Sequence, residues 1–230
     1  MRIRPEAGKA IAWSNIDFLT NSYDMEVVHR AQPLAVGYVD RGGVKYGLNI
    51  FVTEKNNTIH DNIKQFFNGN PKVVCLQNYV PSPIIQGIIE LVETYPVMED
   101  STIYRCENIT DDNLRKSQTV GLHVNMLDGM STSVAHRIML REVVRSIRKK
   151  TKKTLGLTSC HFLEFQVVRY SEVVDHFDLH HDSVGIVKTN GVWRPLSDDS
   201  TTRRVCSVFV YLNTVPLDAG GCTVFPYVSA

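Results

Sequence analysis

Three observations predict a mainly β domain with helical cover, an α+β arrangement. Short apolar runs bounded by turn residues recur towards both ends of the chain, at residues 10–13, 27–28 and 46–52, then at 165–170, 205–212 and 223–225. Two segments between them carry helical periodicity instead. The chain has 230 residues, 43% of them hydrophobic, enough to bury one sizeable core. Many short strands with two helices fit a β-sandwich with helical cover.

Pro5 to Gly8 make a turn before Ala10-Ile11-Ala12-Trp13, which reads as a strand, and residues 38–42 read as an inserted hairpin tip. Residues 54–62, EKNNTIHDN, hold one apolar side chain in nine and read as an exposed connection. After a strand at 73–76, Ser82 is placed to cap a helix with Pro83 at its first position. Ile85, Ile88, Ile89 and Val92 then form one stripe, and Pro96 ends the pattern at Tyr95. A second helix, over 134–150, directs Ile138, Val143, Val144 and Ile147 to the core. Arg145, Arg148, Lys149, Lys150, Lys152 and Lys153 crowd its end, where cations complement the helix dipole. That run reads as a solvated helix end or as a docking face for an acidic partner. Residues 184–202 form a long loop.

A formal charge of +1 argues against non-specific nucleic-acid binding. Mean hydropathy is −0.12, and charged or polar residues interrupt every apolar run, so no stretch suits a bilayer span. The opening residues lack the apolar core and cleavage site of a secretory signal, which makes the cytoplasm the default expectation. Cys75, Cys106, Cys160, Cys206 and Cys222 are widely and irregularly spaced, and read as reduced structural thiols. Nothing in the sequence speaks to oligomeric state.

The segment with chemistry is Asp175-His176-Phe177-Asp178-Leu179-His180-His181-Asp182. Burying such a cluster without a metal or partners is costly. On an extended chain His180 and Asp182 point to the same side, so an imidazole and a carboxylate could hold one cation. His176 and Asp178 obey the same parity, and spacing alone does not choose between the pairs. With one more histidine, either pair would complete the two-histidine, one-carboxylate set that suits non-haem Fe(II). A His-rich surface loop is the plain alternative.

The surrounding pattern resembles the prolyl 4-hydroxylase-like branch of the Fe(II)/2-oxoglutarate-dependent dioxygenases over most of the chain. Gln166 to Tyr170, HFDLHHD, Arg204-Val205 into Val210-Tyr211-Leu212-Asn213, and Gly220-Gly221-Cys222-Thr223-Val224-Phe225-Pro226 look like consecutive core strands of that family. The resemblance selects His180 and Asp182. The segments this family places next stand at the beginning instead: residues 2–15 are similar to the following strand, and residues 28–34 to the distal-histidine segment. Gly43-Val44-Lys45-Tyr46 looks like the segment carrying the co-substrate lysine.

The resemblance therefore implies a double-stranded β-helix (jelly roll, cupin-like) with circularly permuted strand order. It implies a single catalytic domain over 1–230, with the family's C-terminal strands at 1–53, a linker at 54–62, and its N-terminal helices and core strands at 63–230. A slice across two domains is the rival reading, under which His29 would complete another chain's site. By resemblance, His180, Asp182 and His29 hold Fe(II), and Lys45 binds the distal carboxylate of 2-oxoglutarate. Tyr170 and Tyr211 line the co-substrate site, with Thr223 a further candidate, and Trp193 and Arg194 contact substrate if loop 184–202 closes. Dioxygen is the second co-substrate, and ascorbate an auxiliary reductant. The implied substrate is a proline-containing peptide or protein, hydroxylated best at the prolyl 4-position. Free amino acids, lysyl residues and nucleic acid bases are alternatives on the same scaffold, and so is a non-catalytic metal- or ligand-binding module.

Overall fold

Side chains alternate across the longest strands, and that alternation sorts the apolar residues into two cores. The structure is a computed structural model that describes residues 1–55, 61–105, 107–109, 113–157, 162–184, 186–189, 192–195 and 202–229. Side chains at 55, 103–105, 107–109, 162, 186–189, 193–195 and 202 lie outside that description. Seven antiparallel strands form a large sheet in the order Val73–Leu76, Ala10–Ser14, Thr202–Tyr211, Lys45–Lys55, Phe162–Tyr170, Gln118–Gly121, Glu99–Asp100. Five short antiparallel strands form a small one, ordered Arg2–Ile3, Thr223–Val224, His29–Ala31, His176–His180, Arg115–Lys116.

On the large sheet Ala10, Ala12, Leu48, Ile50, Val52, Phe165, Val167, Val208 and Val210 pack with the helices Asp61–Phe67, Ser82–Thr94 and Val134–Leu155. Their neighbours Ile11, Trp13, Val168, Tyr170, Phe209 and Tyr211 face the other way, into a core shared with Ile3, Leu34 and Phe225. The layers therefore run helices, large sheet, small sheet, in keeping with the expected mainly β, α+β class. Each buried Ile or Leu in these cores contributes about 1.5–3 kcal/mol.

Several local expectations shift. Val27 belongs to a 3-10 turn, Met25–Val27, because the Asp24 side chain accepts the Glu26 N–H, and the strand opens only at His29. Residues 38–42 form no hairpin tip: Val36–Val39 is a helical turn, in which the Val39 N–H bonds Ala35 O and the Gly43 N–H closes back on Tyr38 O. The first long helix begins one residue early. Pro81 is its N-cap, with no side-chain bond, and Ser82 is already helical. The second continues past Lys150 to Leu155, where Gly156, at φ 64°, supplies the left-handed C-cap. Its buried stripe is Leu140, Val143, Val144, Ile147, Thr151 and Leu155, which turns Ile138 out to solvent at 56% exposure.

Of the connection expected at 54–62, Glu54 and Lys55 extend a strand and Asp61 opens a helix, while 56–60 lie outside the described residues. Within 184–202, Ile186–Thr189 and Val192–Pro195 pair as a hairpin where a structureless loop was expected. The side chains of Trp193 and Arg194, and all of Cys106 and Cys160, lie outside the described residues. Among the described residues no helix is long and apolar enough to cross a membrane.

Ile88 and Ile138 separate core from surface. Ile88→Ala removes a fully buried side chain and is expected to cost about 2–5 kcal/mol in urea unfolding. Ile138→Ala is expected to stay within about 0.5 kcal/mol; equal losses would contradict the helix rotation described above.

Candidate metal centre

His29 opens its strand and His180 closes the strand beside it, and the two stand opposite each other in the antiparallel register. Asp182 follows two residues later, in a bend beyond the strand end. His29 Nε2 lies 3.7 Å from Asp182 Oδ1, and His180 Nε2 lies 3.5 Å from the same oxygen. One ligand atom from each of the three falls within 4.8 Å of the others. The alternative pair is elsewhere: the His176 ring nitrogens contact the carbonyls of Val174 and Asn113, and Asp178 is exposed.

Proton placement in the cluster follows from the backbone. His29 Nδ1 is 3.0 Å from Val27 O, and His180 Nδ1 is 2.7 Å from Asp178 O. A carbonyl only accepts, so each Nδ1 carries a proton; burial keeps the His29 ring neutral, and a neutral ring turns its Nε2 lone pair towards Asp182. At 3.5–3.7 Å these approaches are too long for hydrogen bonds. Asp182 Oδ2 is buried with no hydrogen-bond partner. Lone pairs converging on a carboxylate repel one another, and a cation between them relieves that repulsion. The donor set, two imidazole nitrogens and a carboxylate, fits a divalent transition metal.

Burial pushes the His29 imidazole down to about 3, with the neighbouring His180 acting in the same direction. Burial works against ionisation of Asp182, but the positive charge that His29 and His180 carry when protonated outweighs it and holds the carboxyl below the usual range. The rings are sheathed in aromatics. Trp13 meets His29 edge-on at 4.7 Å, Phe225 stacks on it at 5.0 Å, and Phe177 stacks on His180 at 3.4 Å.

Lys45 lies at the start of the central strand and is fully buried, yet its Nζ has no hydrogen-bond partner. The ammonium stands 4.7 Å from the Tyr170 ring centre, 5.7 Å from Phe209 and 5.9 Å from Tyr211. Gly47 makes room for this arrangement, because a Cβ there would fall 2.2 Å from Phe209 Cζ. Burial pushes the Lys45 amine down to about 8 and the Tyr170 phenol up to about 12. The Tyr211 hydroxyl lies 2.8 Å from Thr223 Oγ1. Lys45, Tyr170, Tyr211 and Thr223 thus form one connected group, a buried cation with hydroxyls nearby and no anionic partner among the described residues.

Sequence reasoning missed Arg115, Trp13, Phe177 and Phe225. Arg115 is buried with its guanidinium 4.6 Å over the Phe177 ring, and Nε bonds Ser117 Oγ at 3.2 Å. Trp13, Arg115 and Phe225 carry no sequence signal, because each reaches the centre only through the packing of strands distant in sequence, whereas Phe177 stands three residues before His180 on the same strand. His181, adjacent to both ligands, packs edge-on against Tyr23 instead, and burial pushes its imidazole down to about 4. His136 bonds Tyr95 and Glu90 on the helical layer.

Comparison with protein-family models, curated proteins and solved structures gives no match for this chain.

Two outcomes follow from these buried charges. The unfolded chain protonates its histidines near 6.5, whereas folded His29 and His181 resist protonation to about 3 and about 4, so acid withdraws stability. Metal-free protein is expected to lose up to about 1.4 kcal/mol per pH unit for each of the two, from pH 6.5 down to about 4 for His181 and about 3 for His29. His181→Phe should flatten that slope in urea titrations at pH 4.5–6.5, and an unchanged slope would refute a buried neutral His181. Lys45→Met replaces an unpaired ammonium with an apolar chain of similar length, and is expected to raise Tm by about 2–4 °C without ligand. A lower Tm would mean that the ammonium is already satisfied.

Proposed function

We propose that this chain is an Fe(II)- and 2-oxoglutarate-dependent dioxygenase of the prolyl 4-hydroxylase-like class, acting on a prolyl residue of a peptide or protein. The observation that carries the reading is a pair of unmet demands lining one core. His29, His180 and Asp182 converge on a space suited to a cation, and the buried Lys45 Nζ has no hydrogen-bond partner among the described residues. With Fe(II) and 2-oxoglutarate bound, His29, His180 and Asp182 would hold the metal and Lys45 would pair with a carboxylate of the co-substrate, which would meet both.

Fe(II), when bound, supplies the oxygen chemistry by which 2-oxoglutarate, dioxygen and a substrate C–H bond give succinate, carbon dioxide and C–OH. This chain's residues do the rest. His29 and His180 are fixed by their Nδ1 bonds to backbone carbonyls, so their Nε2 atoms are aimed without rearrangement. Asp182 stays ionised and supplies the one negative charge. Lys45 orients the co-substrate, the Tyr211 hydroxyl and Thr223 stand by to bond its carboxylate, and Trp13, Phe177 and Phe225 keep bulk water off the imidazoles.

The same reading makes the fold a double-stranded β-helix with circularly permuted strand order. Its support is the interleaving of the two halves. Lys45–Lys55 lies between Thr202–Tyr211 and Phe162–Tyr170, and His29–Ala31 lies between Thr223–Val224 and His176–His180. The backbone nitrogen of Met1 also bonds the carbonyls of Phe225 and Val228, at 2.7 and 2.6 Å. Elements from both halves build one site, which favours an intramolecular centre over a slice across two domains.

The test is anaerobic addition of Fe(II) and then 2-oxoglutarate at low protein concentration. A visible charge-transfer band is expected, abolished in His29→Ala, His180→Ala and Asp182→Ala. Lys45→Ala should raise the 2-oxoglutarate requirement by about tenfold or more, as loss of a buried charge-assisted contact implies. Under air, proline-containing peptides should stimulate succinate release. No band from folded protein would overturn the dioxygenase reading. A band without peptide-stimulated turnover would keep the centre and move the substrate to another class.

A further inference from the structure

The helix Val134–Leu155 concentrates charge that the rest of the molecule lacks. It carries eight Lys and Arg against one Glu, in a chain with 25 basic and 24 acidic residues, so the remainder is net negative. Its buried stripe packs into the core and fixes the helix rotation. Arg141, Arg145, Arg148, Lys149 and Lys153 are consequently exposed, and Lys152 half-exposed. Helical spacing sets these six along one strip about 18 Å long.

The strip is poorly neutralised. Arg145 lies 3.8 Å from Glu142, while Arg141, Lys149, Lys152 and Lys153 make no ion pair among the described residues. The helix dipole rewards cations only in the last turn, which covers Lys152 and Lys153 but not Arg141 or Arg145. Arg141/Arg145, Arg145/Lys149, Lys149/Lys153 and Arg148/Lys152 are like charges four residues apart, each pair destabilising. Such a row works against the helix that bears it unless something anionic lies on it.

We propose that this strip is a docking surface for a short acidic segment of a partner polypeptide. The helix's buried stripe is already committed to the core, and the large apolar side chains it exposes, Val134 and Ile138, are too few to insert into a bilayer. Glu90 and Glu93 stand on Ser82–Thr94, the helix packed beside it, and with the net-negative remainder they oppose a broad anionic membrane or a long nucleic acid. The strip has no aromatic side chain on which bases could stack. A run of Asp and Glu spanning a few helical turns matches its length and charge. The helical layer and the candidate metal centre lie on opposite faces of the large sheet, so an occupant leaves that centre open.

The test is fluorescence anisotropy with a labelled twelve-residue peptide of alternating Asp and Glu, in low salt and without added metal. Saturable binding is expected, weakened about tenfold or more by raising salt from 0.05 to 0.5 M, as exposed charge pairs require. The variant Arg141→Glu/Arg145→Glu/Lys149→Glu/Lys153→Glu should abolish binding. Arg145→Gln/Lys149→Gln, which keeps good helix formers, should weaken it about threefold or more without altering circular dichroism. No saturable binding, or equal binding by Arg145→Gln/Lys149→Gln, would overturn the proposal. So would tighter binding of a twelve-nucleotide DNA strand or of phosphatidylserine vesicles, which would assign the strip to nucleic acid or membrane. Neither result depends on iron or 2-oxoglutarate.

Discussion

The register of the central strand, Lys45–Lys55, is the constraint on which the rest of the structure hangs. It is hydrogen-bonded along its length to Thr202–Tyr211 on one side and Phe162–Tyr170 on the other. Even-numbered residues from Tyr46 to Val52 pack into the helical core, while Lys45 faces Tyr170, Phe209 and Tyr211 in the other. A slip of one residue would drive Lys45 among the helices and Leu48 into the candidate site. The irregularity between Arg204 and Cys206 is absorbed at one end of the strand, away from that pairing.

The same layer stores the molecule's electrostatic tension. The neutral His29 imidazole and an ammonium without a hydrogen-bond partner among the described residues are buried among aromatic rings, beside the half-buried His180 and the ionised Asp182. Burying such groups costs free energy that packing around them must offset. A site built this way is stiff: the Nδ1 bonds of His29 and His180 fix ring orientation before any ligand arrives. Preorganisation at the cost of ligand-free stability is what a centre needs if it is to bind a cation and an anion together.

Local patterns proved legible where one physical effect dominates. The stripe of Ile85, Ile88 and Val92 and the alternation in Ala10–Ser14 are set by periodicity, and the helices and strands appear where those periods occur. Boundaries moved where short-range bonds compete: Asp24 capping a turn, Pro81 taking the N-cap from Ser82, and Gly156 letting the second helix run on through its basic end. Ile138 was misassigned because an irregular stripe left the helix rotation ambiguous by one residue.

The sequence by itself determined the mainly β class and marked the dense His/Asp segment at 175–182, because such a cluster stands out in one dimension; His29 and Lys45 became candidates only through the resemblance of their segments to those of a known family. Parity could not choose between the two His/Asp pairs, since both obey the same alternation. The resemblance selected His180 and Asp182, and the physical reason is tertiary: the antiparallel pairing of His29 with His180 puts that pair, and not the other, against a histidine some 150 residues away. Only the folded chain could likewise bring Trp13, Arg115 and Phe225 around the centre. Their roles come from contacts between strands distant in sequence, and no local propensity encodes such contacts.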